Sequence, residues 1–233
     1  MIQIRSAAAV LVAAGNSRRM KGNTNKVLEL LNNRPILSYS LEAFQRNAIV
    51  QTVTVVCREE DRSAIARIIR AFCPKAEGHI TIGGAERFDS VKNGLEYLYP
   101  FQPDAVLIHD AARPFLRQRF IADSVDALTR VSACLVGVAV KDTVKETDEN
   151  GTVTRTHERN RLRLAQTPQT FRYMDILQAY RAVTPPPYPT DDAAVFEMTG
   201  GTVRMVEGSY ENIKITTPED LIMAESLLKW IEP

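Results

Sequence analysis

The sequence has no cysteine pair at disulfide or metal spacing. Cys57, Cys73 and Cys134 form no CxxC motif and lie inside apolar stretches. They read as buried free thiols in a reducing compartment, not as a disulfide frame or a zinc site. Long hydrophobic runs are also missing. The longest, at 7–14 and 133–140, fall well short of the roughly 20 residues a membrane-crossing helix needs. The opening Met1-Ile2-Gln3-Ile4-Arg5 lacks the layout of a secretory leader. Nor does one sign of charge dominate. With 29 Lys and Arg against 28 Asp and Glu, the net charge is +1. No global field then favours nucleic acid or an anionic membrane. A cytoplasmic protein follows, with no nucleic-acid or membrane partner, and any anion it binds must be held by a local cluster.

Two such clusters are visible: Arg18, Arg19, Lys21 and Lys26 near the start, and Arg155, Arg159, Arg161 and Arg163 past the middle. The chain of 233 residues fits a single α/β domain, 1–233, with an arm at about 141–161. A buried strand over 7–14 ends in Gly15, and Pro35 opens a helix to about Arg46. Residues 52–57 read as a second strand. Ile65, Ile68, Ile69 and Phe72 line one face of a helix beginning at Asp61. Residues 80–82 form a short strand, a helix follows from about Phe88, and strands are expected at 105–109 and 133–140 around a helix marked by Ile121, Val125 and Leu128. This βαβα rhythm predicts a doubly wound, mostly parallel sheet. It breaks at residues 144–147 and 153–157, which flank Asp148-Glu149-Asn150-Gly151, a hairpin turn signal. The hairpin is too polar for a core. It is a solvated flap or an arm that pairs with another subunit. Later elements are a helix over 174–183, strands at 202–206 and 213–215, and a last helix capped by Thr217 and opened by Pro218.

Four segments carry candidate chemistry. Ala13-Ala14-Gly15-Asn16-Ser17-Arg18-Arg19-Met20, with Lys26 beyond it, combines a small-residue turn with basic side chains. Backbone N–H groups there can approach a phosphate closely. The alternative is a tight turn with solvated arginines. Neither GxxxxGK[ST] nor GxGxxG is present, which weakens an NAD-oxidoreductase reading. Gly83-Gly84-Ala85-Glu86-Arg87-Phe88-Asp89-Ser90 ends a strand and opens a helix, where a base or ribose could lie on bare backbone, or where there is only a turn and a cap. In His109-Asp110-Ala111-Ala112-Arg113-Pro114, Asp110 is placed to hold Mg²⁺ and Arg113 to grip an anion, while His109 reads as a packing residue. Lys214, between Ile213 and Ile215, points away from their face. There is no GxSxG, HExxH or Cys/His metal spacing, which fits phosphoryl or nucleotidyl transfer.

Taken in order, AAGNSRRM, GGAERFDSV, HDAARPF, TPQTF and NIKITTPEDL resemble the 2-C-methyl-D-erythritol 4-phosphate cytidylyltransferase family of isoprenoid precursor synthesis, over about residues 7–228. The resemblance implies a Rossmann-like sheet, a protruding β-hairpin arm that forms a homodimer, and a reaction between CTP and a small polyol phosphate with Mg²⁺. It implies that Ala13, Ala14, Gly15, Arg19 and Lys26 hold the triphosphate. Gly83, Arg87, Ser90 and Ala111 would surround the rest of CTP, and Asp110 would hold the metal. Arg113, Thr143, Thr167 and Lys214 would face the polyol phosphate, with Arg159 reaching it from the partner's arm. Arg19, Lys26 and Lys214 are the catalytic candidates. Three positions depart from the family pattern: Ser17 for a glycine, Asn25 for a proline before the lysine, and Ala85 for an acidic residue. A positive φ at Ser17 would cost about 1 kcal/mol or more. The alternatives are a ribitol- or other pentitol-phosphate cytidylyltransferase, and a nucleotide-binding module without catalysis. The small residues between Asp110 and Arg113 favour methylerythritol phosphate.

Overall fold

The computed structural model describes residues 2–15 and 25–231. Ser17 and Arg19 lie outside them. In chain order the elements are β1 (Ala7–Val12), β2 (Leu30–Leu31), β3 (Arg34–Pro35), α1 (Ile36–Gln45), β4 (Val50–Cys57), α2 (Arg62–Phe72), β5 (Ile80–Ile82), α3 (Arg87–Tyr97), β6 (Ala105–Asp110), α4 (Gln118–Ala127) and β7 (Ala133–Ala139). There follow β8 (Lys145–Thr147), β9 (Val153–Thr156), β10 (Arg163–Arg172), α5 (Tyr173–Ala182), α6 (Asp192–Met198), β11 (Arg204–Glu207) and α7 (Pro218–Ile231).

The main sheet runs β11-β7-β10-β6-β1-β4-β5. It is parallel except at β10, which pairs antiparallel with both β6 and β7. This is the mostly parallel Rossmann-like sheet expected from the sequence. β1 sits inside it, and its small residues follow from being covered on both faces. Ala7, Ala9 and Leu11 point into a core with Leu41 and Phe44 of α1, Ile65 and Ile69 of α2, and Phe120 of α4. Ala8 and Val10 point into a second core with Val91 and Leu95 of α3 and Ile176 and Leu177 of α5. On α3, a Cβ at Gly94 would lie 2.7 Å from a Val10 methyl and 2.9 Å from a Val56 methyl. The glycine lets that helix seat directly on the sheet. All three cysteines are buried. Burial pushes Cys57 and Cys73 up to about 11 and Cys134 up to about 12, so they stay as inert thiols. Among the described residues no helix is long and apolar enough to cross a membrane.

Three features differ from the sequence expectation. β10 was not anticipated because it reads Arg163-Leu164-Ala165-Gln166-Thr167-Pro168-Gln169-Thr170-Phe171-Arg172, polar and interrupted by proline. The β7–β10 register shifts between Ala165 and Gln169, so Pro168 lies in a bulge where no ladder donor is needed. The buried Gln169 is satisfied: its amide donates to Asp191 Oδ2 at 2.8 Å and its carbonyl accepts from Ala193 N–H at 2.8 Å. Helix α6 was also missed. Asp191 caps it by accepting from Ala194 N–H at 2.9 Å. Residues 213–215 are not a strand. They form an extended segment, with Ile215 N–H donating to Ala112 O at 2.9 Å.

The polar hairpin forms as β8–β9. Gly151 takes φ +82 in its turn, and Asp148 Oδ1 accepts from Asn150 and Thr152 N–H at 3.0 and 2.8 Å. Its residues are exposed.

Candidate active site

Strand order reverses direction at β1. The chain leaves β1 for β4 and β5 on one side, then crosses back to β6 on the other. A crevice at the carboxyl ends of the strands is the usual ligand position in such sheets. Here Val12 at the end of β1 sits in register with Asp110 at the end of β6, and above them opens a cavity of about 550 Å³. That volume suits a nucleotide-sized ligand. Its wall includes Ala13, Ala14 and Gly15, then Lys26, then Gly84, Arg87 and Ser90, then Asp110, and finally Lys214 and Thr216. Four separate sequence motifs thus meet in one place, and Lys26, Asp110 and Lys214 share it.

Asp110 is the electrostatic centre. Its side chain is 10% exposed. Lys214 Nζ lies 2.8 Å from Oδ2, Arg87 Nε 3.4 Å from Oδ1, and Arg113 Nε 3.8 Å from Oδ2. Burial alone would raise its pKa. The charges of Arg87, Lys214 and Arg113, with the Lys214 hydrogen bond, overcome that and hold the carboxyl far below the usual range. It is a carboxylate at every physiological pH. Lys214 reaches it because the extended segment alternates: Ile215 packs into the core formed with α7 and Lys214 turns the other way.

A hydrogen-bond chain fixes the backbone under Asp110. Its N–H donates to Thr167 Oγ1 at 3.1 Å, and Thr167 Oγ1 pairs with His109 Nδ1 at 2.9 Å. His109 Nε2 lies 3.1 Å from Arg113 O. A carbonyl only accepts, so Nε2 carries the proton and Nδ1 accepts from the threonine hydroxyl. Full burial pushes His109 down to about 4, so the ring is neutral. It is the packing histidine that the sequence suggested, here with a defined tautomer.

Arg87 anchors a second network. Its guanidinium makes a bidentate pair with the fully buried Asp192, 2.8 Å on each side. Tyr180 also donates to Asp192 Oδ1 at 2.6 Å. The pair connects α3 to α6, behind the cavity wall. Asp192 carried no motif in the sequence. Its helix was itself missed, so no sequence signal pointed to it.

A model of the 2-C-methyl-D-erythritol 4-phosphate cytidylyltransferase family matches residues 7–230. The chain belongs to that family. A cytidylyltransferase of this name from Clostridium acetobutylicum is 39% identical over 223 residues, covering 95% of this chain and 96% of its own. One from Syntrophotalea carbinolica is 42% identical over 221 residues, covering 94% of each. The solved 4-diphosphocytidyl-2C-methyl-D-erythritol synthase of Anaerococcus prevotii matches with a TM-score of 0.84 at 30% identity, over 97% of this chain and 99% of that one. The Thermus thermophilus cytidylyltransferase matches with a TM-score of 0.72 at 28% identity, over 94% and 98% of the two chains.

In this cytidylyltransferase several candidate residues sit differently from expectation. Ala13 lines the cavity, but its N–H donates to Val56 O at 2.8 Å, so it is occupied in the sheet. Ala111 is core, its N–H bonded to Val12 O at 3.1 Å, and Ala112 takes the place in the cavity wall. Gly83 works by packing. A Cβ there would come within 2.6 Å of both Ala14 Cβ and Ser90 Oγ, so glycine lets the two loops close on each other. Arg113 and Thr167 are engaged beneath the site, Arg113 donating to Asn212 O at 2.7 Å. Thr143 and Arg159 are exposed at the base of the hairpin, where Arg159 donates to Lys141 O at 2.9 Å. Neither lines the cavity of its own chain.

Proposed function

We propose that this cavity joins CTP to 2-C-methyl-D-erythritol 4-phosphate, giving 4-diphosphocytidyl-2-C-methyl-D-erythritol and pyrophosphate for isoprenoid precursor synthesis. The observation that carries the reading is the meeting of Lys26, Asp110 and Lys214 around one nucleotide-sized space. A phosphate oxygen of the polyol attacks the α-phosphorus of CTP in line. The bond from that phosphorus to the β-phosphate bridging oxygen breaks, and pyrophosphate leaves. The attacking phosphate is already ionised, so no general base is needed. The lack of GxSxG, HExxH and Cys/His metal spacing in the sequence fits this.

The chain's residues position the reactants and balance charge. Backbone N–H groups at Ala14 and Gly15, with Arg19 and Lys26, hold the triphosphate, and Gly84 and Ser90 border the cytidine. Arg113 and Thr167 brace Asp110 from beneath the cavity, Thr143 stands outside it at the hairpin base, and Lys214 holds the polyol phosphate. Arg159 reaches it from a partner's arm in a homodimer, since it stands away from its own cavity. The expected setting is the cytoplasm, in a single catalytic domain.

Asp110 would hold Mg²⁺. Among the described residues no group of three or more acidic, His or Cys side chains could cage a metal. A lone carboxylate suits Mg²⁺ that arrives on phosphate oxygens. Arg87 Nε lies 3.4 Å from Asp110 Oδ1, a long contact for a charge-assisted pair. The ion would supply charge neutralisation on the phosphates.

Incubation of the protein with CTP, Mg²⁺ and either 2-C-methyl-D-erythritol 4-phosphate or ribitol 5-phosphate tests the reading. The CDP conjugate should form from the first. Faster conversion of the ribitol substrate would replace it with the pentitol reading, and no conjugate from either would leave a binding module.

A further inference from the structure

Lys26 opens a short 3-10 turn (Lys26–Leu28) in the cavity wall. The residue before it, Asn25, is one of the most buried polar residues in the chain, at 1% exposure. Its side-chain amide donates to Ala13 O at 2.7 Å and to Asp61 Oδ2 at 2.8 Å. Both amide hydrogens are therefore used. Its side-chain oxygen faces Val27 N–H at 3.4 Å, and its backbone carbonyl accepts from Leu28 N–H at 2.8 Å. Asp61, 5% exposed, is held in turn by Arg58, whose Nε and a terminal nitrogen lie 2.7 and 3.1 Å from its two oxygens. Arg58 and Asp61 stand beyond the end of β4, and Ala13 beyond the end of β1. One asparagine side chain therefore ties the start of the Lys26 turn to two neighbouring strand ends.

We infer that Asn25 and Asp61, backed by Arg58, are positioning residues that fix where the Lys26 ammonium stands in the cavity. The inference rests on the proposed CTP site. Asn25 holds φ −66 and ψ 121, close to the φ of about −65° that proline imposes. Where the family pattern has a ring to set the backbone, this chain uses two short hydrogen bonds to the same end. The bonds also do what a ring cannot: they fix the turn relative to the sheet. Val27, 3% exposed in the core beneath, pins the next residue. The Lys26 backbone is thus set on both sides. Positional errors of about 1 Å at a charge-stabilising group cost roughly a hundredfold in rate, so a residue that touches no substrate can govern the site.

The test is a double-mutant cycle on CTP affinity, read by calorimetry, with pyrophosphate release alongside. Asn25→Ala should weaken CTP binding about tenfold and leave KM for the polyol phosphate within twofold. In a Lys26→Ala background the same change should have little further effect, because its route is the missing ammonium. Asp61→Ala should show the same CTP-selective loss. An equal loss in both backgrounds would overturn the inference, as would wild-type CTP affinity in Asn25→Ala, or both substrates weakening together. If Asn25→Ala fails to fold, Asn25→Ser enters the same cycle, since serine can cap the turn but cannot reach Asp61. A wild-type protein that binds no CTP would instead defeat the proposed function, and the two failures are distinct.

Discussion

His109 makes the stability of this protein depend on pH in a window no carboxylate reaches. The ring is fully buried, and desolvation, assisted by the Arg113 charge, outweighs the favourable contacts with Arg113 O, Asp110 and Thr167. It is pushed from 6.5 down to about 4. The unfolded chain binds the proton below pH 6.5 and the folded chain does not until about pH 4. Stability is therefore complete above 6.5 and falls as pH drops between those values. Each pH unit is about 1.4 kcal/mol for one proton, so the whole window is about 3 kcal/mol. The buried Asp110 is depressed from 3.8, and the surface Glu42 and Glu96 from 4.5, chiefly by hydrogen bonds from Arg34 and Arg181 in the last two cases. Their contributions are lost only below about those values, so the limb from about pH 6.5 to 4.5 belongs to the histidine. Urea unfolding at half-unit steps should show that slope in the wild type. His109→Gln should be less stable at neutral pH but nearly flat through the window. A flat wild-type profile, or the same slope in the variant, would refute the reasoning.

Other outcomes follow from the same geometry. Gly83→Ala should destabilise the fold by about 1–3 kcal/mol and weaken CTP binding, because the new methyl meets Ala14 and Ser90 at 2.6 Å. Denaturant midpoints and CTP titration would measure both. Asp192→Ala leaves the Arg87 guanidinium without its bidentate partner in a buried setting. It should cost about 3–5 kcal/mol in unfolding experiments, although Asp192 lies behind the cavity wall. If Arg159 acts across a homodimer, mixing inactive Lys26→Ala and Arg159→Ala proteins should restore roughly a quarter of full activity, since half of a random mixture pairs unlike chains and each such pair has one complete site. No recovery after subunit exchange would remove Arg159 from the partner's site.

The parallel core was legible because its residues are consistent at every level. In β1, an apolar run of small residues ends in glycine, and both faces of the strand are covered. Most of the site was legible for the same reason: Ala14 comes just past the end of β1, Asp110 ends β6, and Lys214 lies in an alternating extended segment, while Lys26 stood out through the basic cluster and the family resemblance. β10 was hidden because its identity depends on partners far along the chain. Gln169 is a strand residue only because Asp191 and Ala193 satisfy its amide, and Pro168 is tolerated only because the register shifts there. Ala111 and Ala112 could not be told apart in sequence, and one backbone bond to Val12 decides which of them meets the cavity. Asn25 looked like a defect against the family pattern. Its tie to Asp61, across 36 positions, is visible only in three dimensions.

The central claim is that Asp110, poised among Lys214, Arg87 and Arg113, serves the chemistry and not merely the fold. Asp110→Asn keeps the shape and removes the charge. Rapid-quench single turnover with saturating CTP, Mg²⁺ and 2-C-methyl-D-erythritol 4-phosphate should show a rate lower by about 10²–10³ in a variant whose circular dichroism matches the wild type. A folded Asp110→Asn protein turning over within twofold of the wild type would contradict the account.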